Sequence, residues 1–148
     1  MQYEKRSLDE NTIKELIELS KEWSKENISY GYVANDESDL KEPLFVALDN
    51  NKIVAYIFGH FYETKKKTSY IEIGSKCFEI DEIYVTKGYR NKGIGQKLFE
   101  MIEEYVKNKC EYLTLATSTK NYKKILHFYI LISRSLRRLM IYMVIQQE

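Results

Sequence analysis

The chain has 148 residues, 44% of them hydrophobic, and its 23 Lys and Arg against 22 Asp and Glu give a formal net charge of +1. That length suits one domain with a real core (residues 1–148) and not two. The near-neutral balance argues against a dedicated nucleic-acid binder, and two lone cysteines, Cys77 and Cys110, read as reduced thiols of a cytoplasmic protein, with no metal site or disulfide framework expected.

The charged start, MQYEKRSLDE, has no apolar run, so no signal peptide is expected. No stretch reaches the ~18 apolar residues of a membrane helix, so no membrane partner is expected either. Gln2 to Arg6 reads as a short first strand. Ser7-Leu8-Asp9-Glu10 fits a capping box with Ser7 as N-cap. Ile13, Leu16, Ile17 and Trp23 then recur at helical spacing, which predicts a helix over Leu8 to Glu26. Ser29 to Glu42 is polar and reads as a loop or short helix able to border a cleft.

Leu44 to Leu48 and Lys52 to Tyr62 read as a hairpin around the Asp49-Asn50-Asn51 turn. The segment from Tyr70 to Gly74 is a further candidate strand, and KCFEIDEIYV, Lys76 to Val85, is a long one. Ile94, Leu98, Met101, Ile102 and Tyr105 make a helical stripe ending near Lys107. Tyr112 to Ala116 reads as a strand, Asn121 to Tyr129 as a helix, and Ile141 to Ile145 as a final strand. This alternation predicts a layered domain of mixed α and β elements, α/β or α+β.

The strand KCFEIDEIYV runs into Arg90-Asn91-Lys92-Gly93-Ile94-Gly95-Gln96 and then a helix. A helix start carries unpaired N–H groups and the positive end of the dipole, and glycines let an anion approach the backbone. The turn is therefore a candidate phosphate or pyrophosphate seat, with Arg90 and Lys92 adding charge. It is not a P-loop, because Gly95 is not followed by Lys-Ser/Thr. Nor is it a dinucleotide fingerprint, because Leu98 stands where a third small residue is required.

These residues resemble the Arg/Gln-x-x-Gly-x-Gly/Ala motif of the GCN5-related N-acetyltransferase (GNAT) superfamily. Asp81-Glu82-Ile83-Tyr84-Val85 stands at that family's spacing ahead of Arg90, and Ala116-Thr117 followed by Phe128-Tyr129 extends the likeness. The resemblance implies a mixed, mostly antiparallel sheet with helices on both faces and two splayed strands. It implies acetyl-coenzyme A as co-substrate, with the pyrophosphate on the amides of Arg90, Asn91, Lys92, Gly93, Ile94, Gly95 and Gln96. The pantetheine arm would lie along Ile83, Tyr84 and Val85 as an added strand, and an amide near Val85 would face the thioester carbonyl.

The implied chemistry needs a proton acceptor for the amine and a proton donor for the departing thiol. Family members use an acid at the position of Glu79 or nearer Glu82; Glu82 is the first choice, Glu79 the second. By the period of two, Glu79 and Asp81 share one face of the strand and Glu82 lies on the other. The bland reading of each is a solvated strand charge. Tyr129 resembles the tyrosine that protonates the sulfur, against a core tyrosine among 13. Asn121 resembles the asparagine that holds the coenzyme arm, against a helix N-cap.

His60 and His127 have no partner at metal or triad spacing, and Cys77 has no visible base. After the Phe-Tyr pair the family turns on a glycine. Here there is none, and 130–148 is atypical, with Arg134, Arg137 and Arg138 clustered. The expected activity is acetyl transfer to a primary amine of a small molecule or protein by direct attack in a ternary complex. The rival readings are a non-catalytic coenzyme A-binding module and a regulatory interaction protein. A homodimer is allowed.

Overall fold

The computed structural model describes residues 1–29, 31–67, 71–119, 122–131 and 140–145, with side chains through 115. Seven strands lie in one sheet in chain order: β1 (Gln2–Arg6), β2 (Leu44–Asp49), β3 (Lys52–Glu63), β4 (Lys76–Val85), β5 (Tyr112–Thr119), β6 (Tyr122–Leu131) and β7 (Met140–Ile145). Every neighbouring pair is antiparallel except β4 with β5, which is parallel because a helix carries the chain between them.

Two helices cover the two faces. Helix α1 (Glu10–Glu26) packs Leu16 and Leu19 on Leu44, Val46, Tyr56, Phe58 and Tyr84. Helix α2 (Ile94–Val106) packs Ile94, Leu98, Ile102 and Val106 on the other face, against Ala55, Ile57, Phe78 and Ile80. That stripe repeats every four residues and is nearly fully buried, each side chain contributing about 1.5–3 kcal/mol. Strands β2 and β3 are sandwiched between the helices, which is why they read as continuous apolar runs instead of alternating ones.

Several expectations are corrected. Helix α1 starts at Glu10, and its N-cap is Asp9, whose carboxylate accepts from the Thr12 N–H at 2.8 Å, so the Ser7 capping box does not form. Ile71 to Gly74 is no strand. Gly74 takes φ +82° and its N–H bonds the Thr64 carbonyl at 2.8 Å, closing a turn below β4. The helix expected over Asn121 to Tyr129 is strand β6, paired with β5. Its run YKKILHFYIL is β-branched and aromatic, and such a short apolar run suits a strand as well as a helix. Asn121 itself and Arg134, Arg137 and Arg138 lie outside the described residues.

Candidate active site

Strand β4 changes character halfway along. Cys77 to Ile80 pair with β3 on one side and with Tyr112 to Leu115 of β5 on the other. Among the described residues, Glu82 to Val85 pair with β3 alone, while β5 continues to Thr119 beside β6. The change falls at a β-bulge: Phe58 faces Glu82 and Gly59 faces Ile80, so Asp81 is the extra residue. Gly59 permits this. A Cβ there would lie 2.0 Å from the Glu79 carbonyl oxygen and 2.8 Å from the Phe78 ring.

The Thr86 N–H bonds the Val54 carbonyl at 3.0 Å. Backbone groups alternate along an antiparallel strand, so those of Ile83 and Val85 point away from β3, into the opening. Tyr84 instead turns its ring into the core below α1 and is buried.

The turn after β4 is built from two left-handed residues, Asn91 at φ 61° and Gly93 at φ 78°, the latter being the N-cap of α2. Ile94, Gly95 and Gln96 form the first turn of α2, whose N–H groups have no acceptor within the helix. Ile94 buries its side chain, so only its amide is on offer. Gly95 meets no tight packing of its own: an added Cβ would only touch Val85 Cγ2 at 3.6 Å. The space it leaves therefore faces the open half of β4. Gln96 bonds Glu100 at 3.1 Å, and the Lys92 ammonium lies 5.6 Å from the Tyr89 ring centroid.

Arg90 is committed differently from the sequence expectation. Its Nε donates to the Val85 carbonyl at 2.8 Å, and its two terminal nitrogens reach both carboxylate oxygens of Glu26, at 2.8 and 2.7 Å. Tyr84 donates its hydroxyl to the same carboxylate at 2.5 Å. The Arg90 hydrogen bond holds Glu26 below the usual carboxylate range, with help from Tyr84.

The bulge also corrects the facing of the acids. Glu82 pairs with Phe58 and Glu79 with His60, two β3 residues on one face, so Glu79 and Glu82 lie on the same side of the sheet, the α1 side. Glu82 accepts from the Tyr56 hydroxyl at 2.8 Å and from Asn35 Nδ2 at 2.8 Å. Burial pushes its pKa up; those two bonds pull it down, and nearby Asp39 and Asp81 push it up again. Above it Trp23 stacks between Tyr32, at 3.9 Å, and Tyr84, at 5.2 Å.

His60, expected to lack a partner, has two: Nδ1 lies 2.7 Å from Asp81 and Nε2 3.8 Å from Glu79. Cys77 and Cys110 are free and buried, and burial raises both thiols, Cys110 to about 11, which removes them as nucleophiles at neutral pH. Tyr129 sits on β6 opposite Thr114, which in turn is opposite Glu79, so its backbone is level with the closed half of β4 and about two strand spacings, ~10 Å, away.

Reading the sequence missed Glu26, Asn35, Tyr56 and His60. Glu26 and Arg90 are separated by 64 positions, and no local pattern joins them. Gly59, mid-strand in an otherwise β-branched and aromatic run, was the one available signal of a bulge.

Residues 10–130 match the profile of the "Acetyltransferase (GNAT) family". The chain superposes on an acetyltransferase from Vibrio fischeri with TM-score 0.57 and 21% identity, over 78% of this chain and 94% of that one. An aminoglycoside acetyltransferase from an uncultured soil metagenomic sample gives TM-score 0.57 and 21% identity over 77% and 75%. An aminoglycoside 6'-N-acetyltransferase complexed with coenzyme A gives 0.57 and 19% over 79% and 62%. No curated protein matches the chain significantly. No helix among the described residues is long and apolar enough to cross a membrane. The match over most of its length, on a sheet that opens beside a glycine turn, places this chain in the GNAT acetyltransferase family.

Proposed function

We propose that this protein transfers an acetyl group from acetyl-coenzyme A to a primary amine of a small molecule or protein, by direct attack in a ternary complex. One observation carries the reading: the half-open strand β4 leads straight into the glycine turn, where the amides of Ile94, Gly95 and Gln96 have no acceptor within α2. The residues fit the coenzyme. The amides of α2's first turn suit a pyrophosphate, and the space a Cβ at Gly95 would fill lies between that turn and β4. Acetyl-coenzyme A would supply the activated acyl group.

The chain's own residues would do the following. The outward backbone groups of Ile83 and the outward N–H of Val85 pair with the coenzyme's amide arm, since the Val85 carbonyl is already taken by Arg90. Glu82 accepts the proton of the amine's ammonium. Its raised pKa brings it closer to neutral, where a general base works best. Glu79, beside His60 and more exposed, is the alternative acceptor. Tyr129 is assigned the proton for the departing sulfur on the strength of the Phe128-Tyr129 pair alone. Residues 1–148 are taken as one domain because all seven strands share one sheet, and the two reduced, buried thiols suit the cytoplasm.

The test is an amine panel read by release of free thiol from acetyl-coenzyme A. Turnover with any amine supports the enzyme; coenzyme binding without turnover leaves a non-catalytic binding module, and no binding ends the reading.

A further inference from the structure

Arg90 opens the glycine turn, and by charge alone it belongs to the anion seat. Its contacts say otherwise. Both terminal nitrogens are held by one carboxylate, and Nε is held by the last carbonyl of β4. A planar guanidinium held by a fork of two oxygens is a preorganised arrangement that a lysine cannot copy. To reach a phosphate it would have to give up three charge-assisted bonds. Glu26 is held in turn by the Tyr84 hydroxyl and sits in the last turn of α1, ahead of the C-cap Asn27 at φ 53°.

We propose that Glu26 is a positioning residue for the coenzyme: through Arg90 it clamps the end of β4 to the glycine turn, so that Arg90 sets the turn's shape and is not itself a phosphate ligand. The clamp joins three separate elements. Helix α1 brings Glu26, β4 brings Val85 and Tyr84, and the turn brings Arg90. It fixes the Val85 carbonyl at the point where β4 has lost its β5 partner. It also ties the turn to the Trp23–Tyr84 stack on the α1 face. The coenzyme side and the acid-bearing side of β4 are thereby set by one carboxylate. This inference rests on the coenzyme-site reading above.

Calorimetry with coenzyme A, and amide hydrogen exchange on the ligand-free protein, test it with Glu26→Gln, Arg90→Lys and the double variant. The clamp predicts that each single variant weakens coenzyme A binding about ten-fold. It predicts that the double variant loses no more than either single one, since both break the same unit. It also predicts faster exchange of the 83–96 amides in the free protein. A phosphate-ligand role for Arg90 predicts the opposite signs. Glu26→Gln would release the arginine and tighten binding, and Arg90→Lys would keep most of the affinity. Tighter or unchanged binding in Glu26→Gln, additive losses, or unchanged exchange over 83–96 would each overturn the clamp. If the wild-type protein binds no coenzyme A, the acetyltransferase reading fails, and the exchange measurement still decides the clamp.

Discussion

The two halves of β4 have the same neighbour on one side and different ones on the other. Lys76 to Ile80 is closed: Phe78 and Ile80 are buried against α2, and β5 pairs along the free edge. Asp81 to Val85 is open: β3 pairs again from Glu82 on, β5 does not, and Glu82 is half-buried on the α1 face near an aromatic stack. The difference comes from one inserted residue, Asp81, and one small one, Gly59. A sheet makes a site where it forgoes a row of hydrogen bonds. The backbone groups left over are then available to a ligand that can add itself as a strand.

The largest effect should come from the acid in the open half. Glu82→Gln is expected to lower turnover by ~10²–10⁴-fold at neutral pH, with partial recovery at high pH as free amine accumulates. Stability should move the other way. Burial raises the pKa of Glu82 in the folded protein, so its favourable contribution is complete below the ordinary carboxylate range and is lost as pH rises through the raised value. A permanently neutral Gln escapes that loss and should raise the melting temperature at neutral pH, measured against wild type across pH. Full activity in this variant would move the base to Glu79 or to water.

Next in size is an attempt to erase the difference between the halves. In Gly59→Ala the new methyl meets the Glu79 carbonyl oxygen at 2.0 Å, a backbone atom that can move only by reshaping the bulge. Overpacking of this kind costs about 3 kcal/mol, which in a chain of this size lowers the melting temperature on the order of 10 °C. Calorimetric melting checks it. A variant as stable as wild type would mean that the bulge is not locked by this contact.

The closed half yields a somewhat smaller prediction. Tyr129→Phe should lower turnover ~10²-fold if its hydroxyl protonates the leaving sulfur. Its ring is kept, so stability and coenzyme affinity should hold. A fully active variant would place β6 outside the machinery, in keeping with a backbone level with Glu79.

Legibility in the sequence followed the same division. Strands β1 and β4 have the bounds read from the sequence, and α2 was readable from its helical stripe, because a helix buried on one side leaves a period. The glycine turn was readable as the start of a helix because its glycines and the apolar stripe behind them are local properties. The bulge was not, and a strict period of two put Glu82 on the wrong face. Glu26 was invisible because an ion pair across 64 positions leaves no local trace. Strand β6 was misread as a helix because its apolar residues fit both periods over so short a span.

The smallest effect separates the chain's needs from the ligand's at Gly95. A glycine inside a helix normally weakens it, so Gly95→Ala should stabilise the ligand-free protein by about 0.5–1 kcal/mol. Nothing in the fold resists the new methyl, whose nearest contact is Val85 Cγ2 at an ordinary 3.6 Å. The methyl would, however, fill the space between the turn and the open half of β4, where the coenzyme's pyrophosphate and arm are assigned. Coenzyme A affinity should therefore fall about ten-fold while the melting temperature rises. Opposite signs in the two measurements would mean that this glycine is kept for a ligand. A rise in stability with unchanged affinity would show that the ligand does not pass here, and the coenzyme would have to be placed elsewhere along the turn.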